Sequence, residues 1–132
     1  MIEYIDLELE EWRGDDYTRQ FPQVDSASDL DELIQRIGSF KSSMLSIKHA
    51  EKILIVAASS NVYTVTAILD SDNILDIITE NCADGVIHFL EGGQSIDLPR
   101  CNAVSFKDVV LAVREFLTSC SLSSHVVWKK QS

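Results

Sequence analysis

Two segments with helical periodicity stand on either side of a long stretch that is rich in strand-forming residues. The first opens at Ser26, and Asp29 three residues later gives the pattern of a capping box with aspartate in place of glutamate. Its apolar residues recur at helical spacing until Gly38, which is typical of a helix end. The second segment opens at Ser105, with Asp108 in the same relation. Two amphipathic helices are therefore predicted, each with one face for a core.

The rest of the chain predicts strands, turns and loops. Ser59-Ser60-Asn61 and Gly92-Gly93 interrupt β-rich runs and predict two hairpin turns. Isoleucines at helical spacing within residues 70–83 predict one helical turn, whereas residues 13–25 predict a loop and the last four residues a frayed tail. The predicted strands are residues 2–9, 44–49, 52–58, 62–69, 86–91, 95–98 and 125–128.

This order of elements predicts an α+β fold, in which two main helices pack on a curved antiparallel sheet. The length of 132 residues predicts a single domain, residues 1–132. Within it, residues 1–25 form an acidic strand and loop. Charge on the outer face of the first strand favours an edge position, because charged side chains discourage pairing with other chains.

The acidic charge is concentrated in one quarter of the chain. The first 33 residues hold eleven acidic side chains and two basic ones, whereas the remainder is close to neutral. Such a segment attracts basic partners and speeds their arrival. It also argues against direct binding to nucleic acid, since phosphate contacts require clustered lysine and arginine.

Motifs for catalysis, metal binding and membrane insertion are missing from the sequence. Cys82, Cys101 and Cys120 form no Cys-x-x-Cys pair, and we expect three reduced thiols. The three histidines have no metal-ligand spacing, and no phosphate loop or nucleophile elbow is present. We therefore expect no enzyme activity, cofactor or metal. The longest apolar run, residues 53–58, is far shorter than a membrane span, and the N-terminus resembles no signal peptide. A cytoplasmic protein is expected.

Acidic and aromatic residues near the N-terminus are the candidate site for a protein partner. Tryptophan, tyrosine and arginine dominate the energetics of interfaces, and acidic groups supply selectivity. Two alternatives stay open, a solvated and partly mobile acidic arm, and a packing role for Trp12. Trp128, on the closing strand, is expected to pack in the core. The candidate partner-binding residues are Glu8, Glu10, Glu11, Trp12, Asp15, Asp16 and Tyr17.

The C-terminal part of the chain resembles the first family of immunity proteins from bacterial polymorphic toxin systems. The resemblance covers residues 44–128 and is strongest over residues 84–128. There, a hairpin with glycines leads to a short strand and a proline, then to an amphipathic helix and a final strand with a tryptophan. The residues that carry it are Asp84 to Gly93, Ile96-Asp97-Leu98-Pro99, Val104-Ser105-Phe106, Glu115-Phe116-Leu117 and Val126-Val127-Trp128.

The resemblance implies a cytoplasmic antidote that binds a toxin domain as a monomer and blocks its active site. The toxin domain would be basic, because it would be a deaminase or nuclease that acts on nucleic acid. The main alternative is an acidic secretion chaperone, which would be a dimer that wraps an effector segment. Such chaperones open with a helix, whereas this chain is predicted to open with a strand.

Overall fold

The structure is a computed structural model that describes residues 5–80 and 82–131. Its elements confirm an α+β fold with two main helices and a large antiparallel sheet. In chain order they are β1 (Ile5–Arg13), β2 (Asp16–Gln20), α1 (Ala27–Gly38), β3 (Ser43–His49), β4 (Lys52–Ser59), β5 (Val62–Asp70), β6 (Asn73–Ile78), β7 (Val86–Glu91), β8 (Gln94–Pro99), a short 3₁₀ helix (Arg100–Asn102), α2 (Phe106–Ser119) and β9 (Val127–Lys130).

Seven strands form an open antiparallel sheet in the order β2-β1-β3-β4-β5-β6-β9, and β7 pairs with β8 in a separate hairpin. The sequence neighbours β3 to β6 pair in order because short turns connect them. Ser60 and Asn61 both have positive φ in the turn between β4 and β5, which confirms the predicted hairpin.

Both helices cover one face of the sheet, and the core lies between the helices and that face. Alternate residues of the strands point into it, such as Leu45 and Val56, which pair across β3 and β4 and are fully buried. Ile34 on α1 and Phe116 on α2 are buried in the same cluster. Trp128 packs against this cluster, as predicted. The helix caps are also as predicted, since Ser26 and Ser105 accept the backbone N–H groups of Asp29 and Asp108.

The opposite side of the sheet, here called the helix-free face, carries the β7–β8 hairpin at one end. Ser42 Oγ donates to the Leu90 carbonyl at 2.8 Å and accepts from the Gly93 N–H at 3.1 Å. The Leu90 N–H donates to Ser59 Oγ, at the end of β4. Phe89, on β7, is buried outside the main core. The hairpin thus forms a partial third layer.

The structure corrects the prediction for the N-terminal strand and loop. Residues 16–20, predicted as loop, form β2 and pair with β1, so that β1 lies between β2 and β3 rather than at an edge. Gly14 has φ +62°, which allows the tight turn between the two strands. Of the predicted strand 2–9, residues 2–4 lie outside the described residues.

Two further predictions fail near the other edge of the sheet. The helical turn expected within residues 70–83 is wrong, because residues 73–78 form β6 between β5 and β9. The frayed tail is also wrong in part, since Lys129 and Lys130 pair with β6 as residues of β9. Asn81 and Ser132 lie outside the described residues.

The expectation of three reduced thiols is wrong for two of them. Cys82 and Cys101 form a disulfide with a Cα–Cα distance of 5.6 Å, and Cys120 is free. Cys82 precedes β7 and Cys101 follows β8, so the bond closes the base of the hairpin. The sequence did not indicate this pair because Cys82 and Cys101 are far apart along the chain. Only the antiparallel pairing of β7 with β8 brings them together.

Candidate partner-binding surface

Strands β1 and β2 and their turn, residues 5–20, form what we call the acidic hairpin, and they hold every predicted partner-binding residue. Side chains alternate along β1, with Leu7 and Leu9 in the core. Glu8, Glu10 and Trp12 therefore lie on the helix-free face. Tyr17 pairs with Trp12 across the two strands, so its side chain lies on the same face. Four predicted residues thus share one surface.

The other three predicted residues lie elsewhere on the hairpin. Glu11 is 9 % exposed on the helix side, and its carboxylate forms an ion pair with Arg13. Asp16 pairs with Arg13 in register, which places it on that side as well, but it is exposed. Asp15 is exposed in the turn at the tip of the hairpin. Alternation therefore separates Glu11 from the surface that Glu8 and Glu10 share.

Two aromatic rings give the acidic hairpin a defined shape. The rings of Trp12 and Tyr17 lie 5.2 Å apart between centroids, at an interplanar angle of 40°. Tyr17 is 49 % exposed, whereas Trp12 is half-buried because the tip of the β7–β8 hairpin lies against it. A Cβ atom at Gly93 would stand 2.9 Å from Trp12 Cδ1, so glycine is needed for this approach. Trp12 therefore combines a packing role with a partly accessible ring.

Negative charge is crowded on this surface. Arg19 Nε lies 2.6 Å from Glu8 Oε1 and neutralises part of the charge. Burial, and then the hydrogen bond and negative charge of Glu8, raise the pKa of Glu10 above its ordinary value. Loss of water around the hydroxyl, and then the charge of Glu10, raise the pKa of Tyr17. A positively charged partner would relieve this repulsion.

Two residues near the site, Arg19 and Phe21, are not among the predicted partner-binding residues. Arg19 was counted only against the acidic charge, yet it pairs with Glu8 and its guanidinium lies 5.1 Å from the centre of the Phe21 ring. Phe21 is 65 % exposed, the largest exposure among the large apolar side chains described. The sequence already indicates Phe21 as an aromatic residue of the acidic segment, and its exposure agrees with a role in binding.

The side chains of residues 5–80 and 82–131 contain no group of three histidine, cysteine or acidic residues that could hold a metal ion. His88 Nδ1 lies 2.6 Å from Asp97 Oδ1, but both side chains are more than half exposed, which leaves them screened by water. In the same part of the chain no helix is long and apolar enough to cross a membrane.

The surface described above is acidic and aromatic, and one protein family is similar to another part of the chain. The model of a family of immunity proteins matches residues 78–130. The family is described as Immunity protein Imm1. The match confirms the resemblance inferred from residues 84–128. A search of curated proteins gives no match to the chain.

The matched segment and the acidic hairpin are different parts of the molecule. Residues 78–130 comprise the end of β6, the β7–β8 hairpin, the 3₁₀ helix, α2 and β9. They meet the acidic hairpin where Gly92 and Gly93 approach Trp12. The family match therefore covers the structure that supports Trp12, whereas the acidic side chains lie outside it.

Proposed function

We propose that this protein is a non-catalytic immunity protein that binds and neutralises a toxin domain directed at nucleic acid, a deaminase or a nuclease. It acts as a monomer in the complex, by occluding the active site of the toxin, and it makes no direct contact with nucleic acid. The observation that carries the proposal is the acidic hairpin beside a segment matched by an immunity protein family. Its binding residues are Glu8, Glu10, Glu11, Trp12, Asp15, Asp16 and Tyr17.

Electrostatics and aromatic contact have separate roles in this proposal. Enzymes that act on nucleic acid present basic grooves to the phosphate backbone, and an acidic surface is steered into such a groove. Asp15 and Asp16 project at the exposed tip and act mainly on the rate of association. Trp12 and Tyr17 supply contact area and slow dissociation. Glu11 acts indirectly, because its ion pair fixes Arg13 on the helix side.

The proposed site of action is the cytoplasm, where such a toxin meets its substrate. Thiols are kept reduced in that compartment, and the Cys82–Cys101 disulfide would open there. The β7–β8 hairpin would then depend on the hydrogen bonds that Ser42 and Ser59 make with it. These bonds lie at the Trp12 end of the hairpin, so the surface around Trp12 persists without the disulfide.

The test first reads the gene immediately upstream, which the proposal expects to encode a long protein with a C-terminal toxin domain, and then measures binding to that domain. Asp15→Lys with Asp16→Lys should slow association by about tenfold at low salt, because a positive tip repels a basic groove. The association rate of this variant should also depend less on salt than that of the wild type. Stopped-flow fluorescence at two salt concentrations measures both quantities.

The matched control is Glu32→Lys with Glu115→Lys, which changes the net charge equally at exposed positions on α1 and α2. It should reduce the association rate much less, because the charges lie on the other side of the molecule. Equal slowing by both variants would refute the acidic hairpin as the steering surface. A wild-type protein that neither binds the toxin domain nor protects cells from it would refute the proposed function itself.

A further inference from the structure

The helix-free face carries an apolar area that neither the helices nor the β7–β8 hairpin takes into the core. It consists of four half-buried isoleucines on β4, β5 and β6, which we call the isoleucine patch. In the described part of the chain, none of them belongs to the core cluster or packs against it. The patch is formed by Ile53, Ile55, Ile68 and Ile74.

Strand register makes the patch continuous. Ile53 pairs with Ile68, and Ile68 pairs with Ile74, so three isoleucines form one row across the strands. Ile55 lies two residues along β4 on the same face. Side chains directly opposite each other in an antiparallel pair are about 5 Å apart, which brings the row into contact. A neighbouring cleft is lined by Asp6, Lys48, His49 and Ala50.

Three acidic residues and two lysines, Lys48 and Lys129, surround the patch, so its rim has a net negative charge. On the β1 side, Asp6 pairs with Lys48 beside Ile53, and Glu8 lies in the row of Ile55. On the other side, Asp76 accepts hydrogen bonds from Thr66 Oγ1 at 2.6 Å and from Gln131 Nε2 at 2.9 Å. An apolar centre with a charged rim is the usual anatomy of a protein interface.

We infer that the isoleucine patch is the apolar half of the toxin-binding surface and receives an apolar protrusion that is flanked by lysine or arginine. This inference rests on the proposed function and identifies the face of the sheet that binds. Glu8 belongs both to the rim of the patch and to the acidic hairpin, so the two form one surface. Exposed charge governs the rate of association, whereas buried apolar area is needed for lasting affinity.

Charge favours this occupant over a second copy of the chain. Two copies joined through the patch would bring together two rims of the same net negative charge. Each chain also carries a net charge of −10, so the copies repel. The negative rim attracts a basic partner, whereas it repels a second copy.

Isoleucine methyl NMR of the wild-type protein tests the inference without any substitution. The probe is again the toxin domain encoded upstream, added to protein labelled at the isoleucine δ1 methyl groups. We expect the methyl signals of the isoleucine patch to shift or broaden in the complex. Those of Ile34 and Ile37, which are fully buried on α1, serve as internal controls and should change little.

A variant measures the contribution of the patch to affinity. Ile53→Thr with Ile68→Thr keeps β-branched side chains in the strands but removes apolar area, and it should raise the Kd by at least about tenfold. Val86→Thr changes an apolar residue that is 53 % exposed on β7 and should leave the Kd unchanged. Thermal unfolding reports whether each variant folds.

The outcomes separate the inference from the proposed function. Unchanged patch methyl signals in a complex that does form would overturn the inference and leave the immunity function standing. Patch signals that shift with the concentration of the free protein would show a second copy as the occupant and would overturn it too. A wild-type protein that does not bind the toxin domain would overturn both.

Discussion

Replacing Gly93 by alanine tests how the tip of the β7–β8 hairpin holds Trp12. Gly93 has φ +78°, and its Cβ atom would lie 2.9 Å from Trp12 Cδ1 and 3.0 Å from Cγ. We expect Gly93→Ala to lower the free energy of unfolding by about 3 kcal/mol. Roughly 1 kcal/mol comes from alanine in a left-handed conformation, and about 2 kcal/mol from overpacking against the ring.

Gly14 provides the matched control, because its φ is +62° and nothing lies within 4 Å of a Cβ atom built there. Gly14→Ala should therefore cost only the conformational part, about 1 kcal/mol. Urea unfolding followed by far-UV circular dichroism measures both variants. In a Trp12→Ala background, Gly93→Ala and Gly14→Ala should lower the free energy of unfolding by the same amount. If they were equally costly in the wild-type background, the reasoning about the Gly93–Trp12 contact would be refuted.

Two further predictions concern the hairpin base and the acidic surface. Cys101→Ser should lower the free energy of unfolding under oxidising conditions by about 3 kcal/mol, since the disulfide spans a sequence separation of 19 residues, whereas Cys120→Ser should change it little. Equal urea midpoints for the two variants would contradict a stabilising disulfide. Because the pKa of Glu10 is raised in the folded protein, its contribution to stability is present below the unfolded pKa and is lost as pH rises through the folded pKa. Glu10→Gln should therefore gain stability relative to the wild type as pH rises above the ordinary pKa of glutamate, and a difference in melting temperature that did not vary with pH would contradict the shift.

The two helices could be predicted because their signals are local. Ser26 and Ser105 each cap a helix by accepting the N–H three residues on, and the apolar stripes that follow face the core. The central strands were also predictable from their β-branched residues and from the turn at residues 59–61. Such signals need no knowledge of distant parts of the chain.

The two strands that were missed are determined by pairing rather than by local sequence. All residues of β2 are exposed, so no apolar alternation marks it, and it exists because β1 offers a free edge. In β6, Ile74, Ile77 and Ile78 have helical spacing, but pairing on both sides with β5 and β9 prevails over that pattern. Competition between local preference and distant partners cannot be resolved from one sequence.

The sequence predicts the segment of the candidate site but not how its side chains are divided between the two faces of the sheet. Charge counts indicate residues 1–25, whereas the separation of Glu11 from Glu10 depends on the alternation of a strand that continues to Arg13. The isoleucine patch could not be predicted for a similar reason. Residues 53–58 form a continuous apolar run, which indicates burial on both faces, yet the structure covers only one face completely.

The position of β1 inside the sheet has a consequence for the kinetics of binding. Since β1 forms backbone hydrogen bonds to both β2 and β3, the carboxylates of Glu8 and Glu10 are held at a fixed spacing before any partner arrives. A mobile arm with the same charges would lose conformational entropy during association, whereas here that ordering is completed when the protein folds. The acidic hairpin is thus a preorganised template, and its selectivity depends on the geometry of its charges as well as on their number.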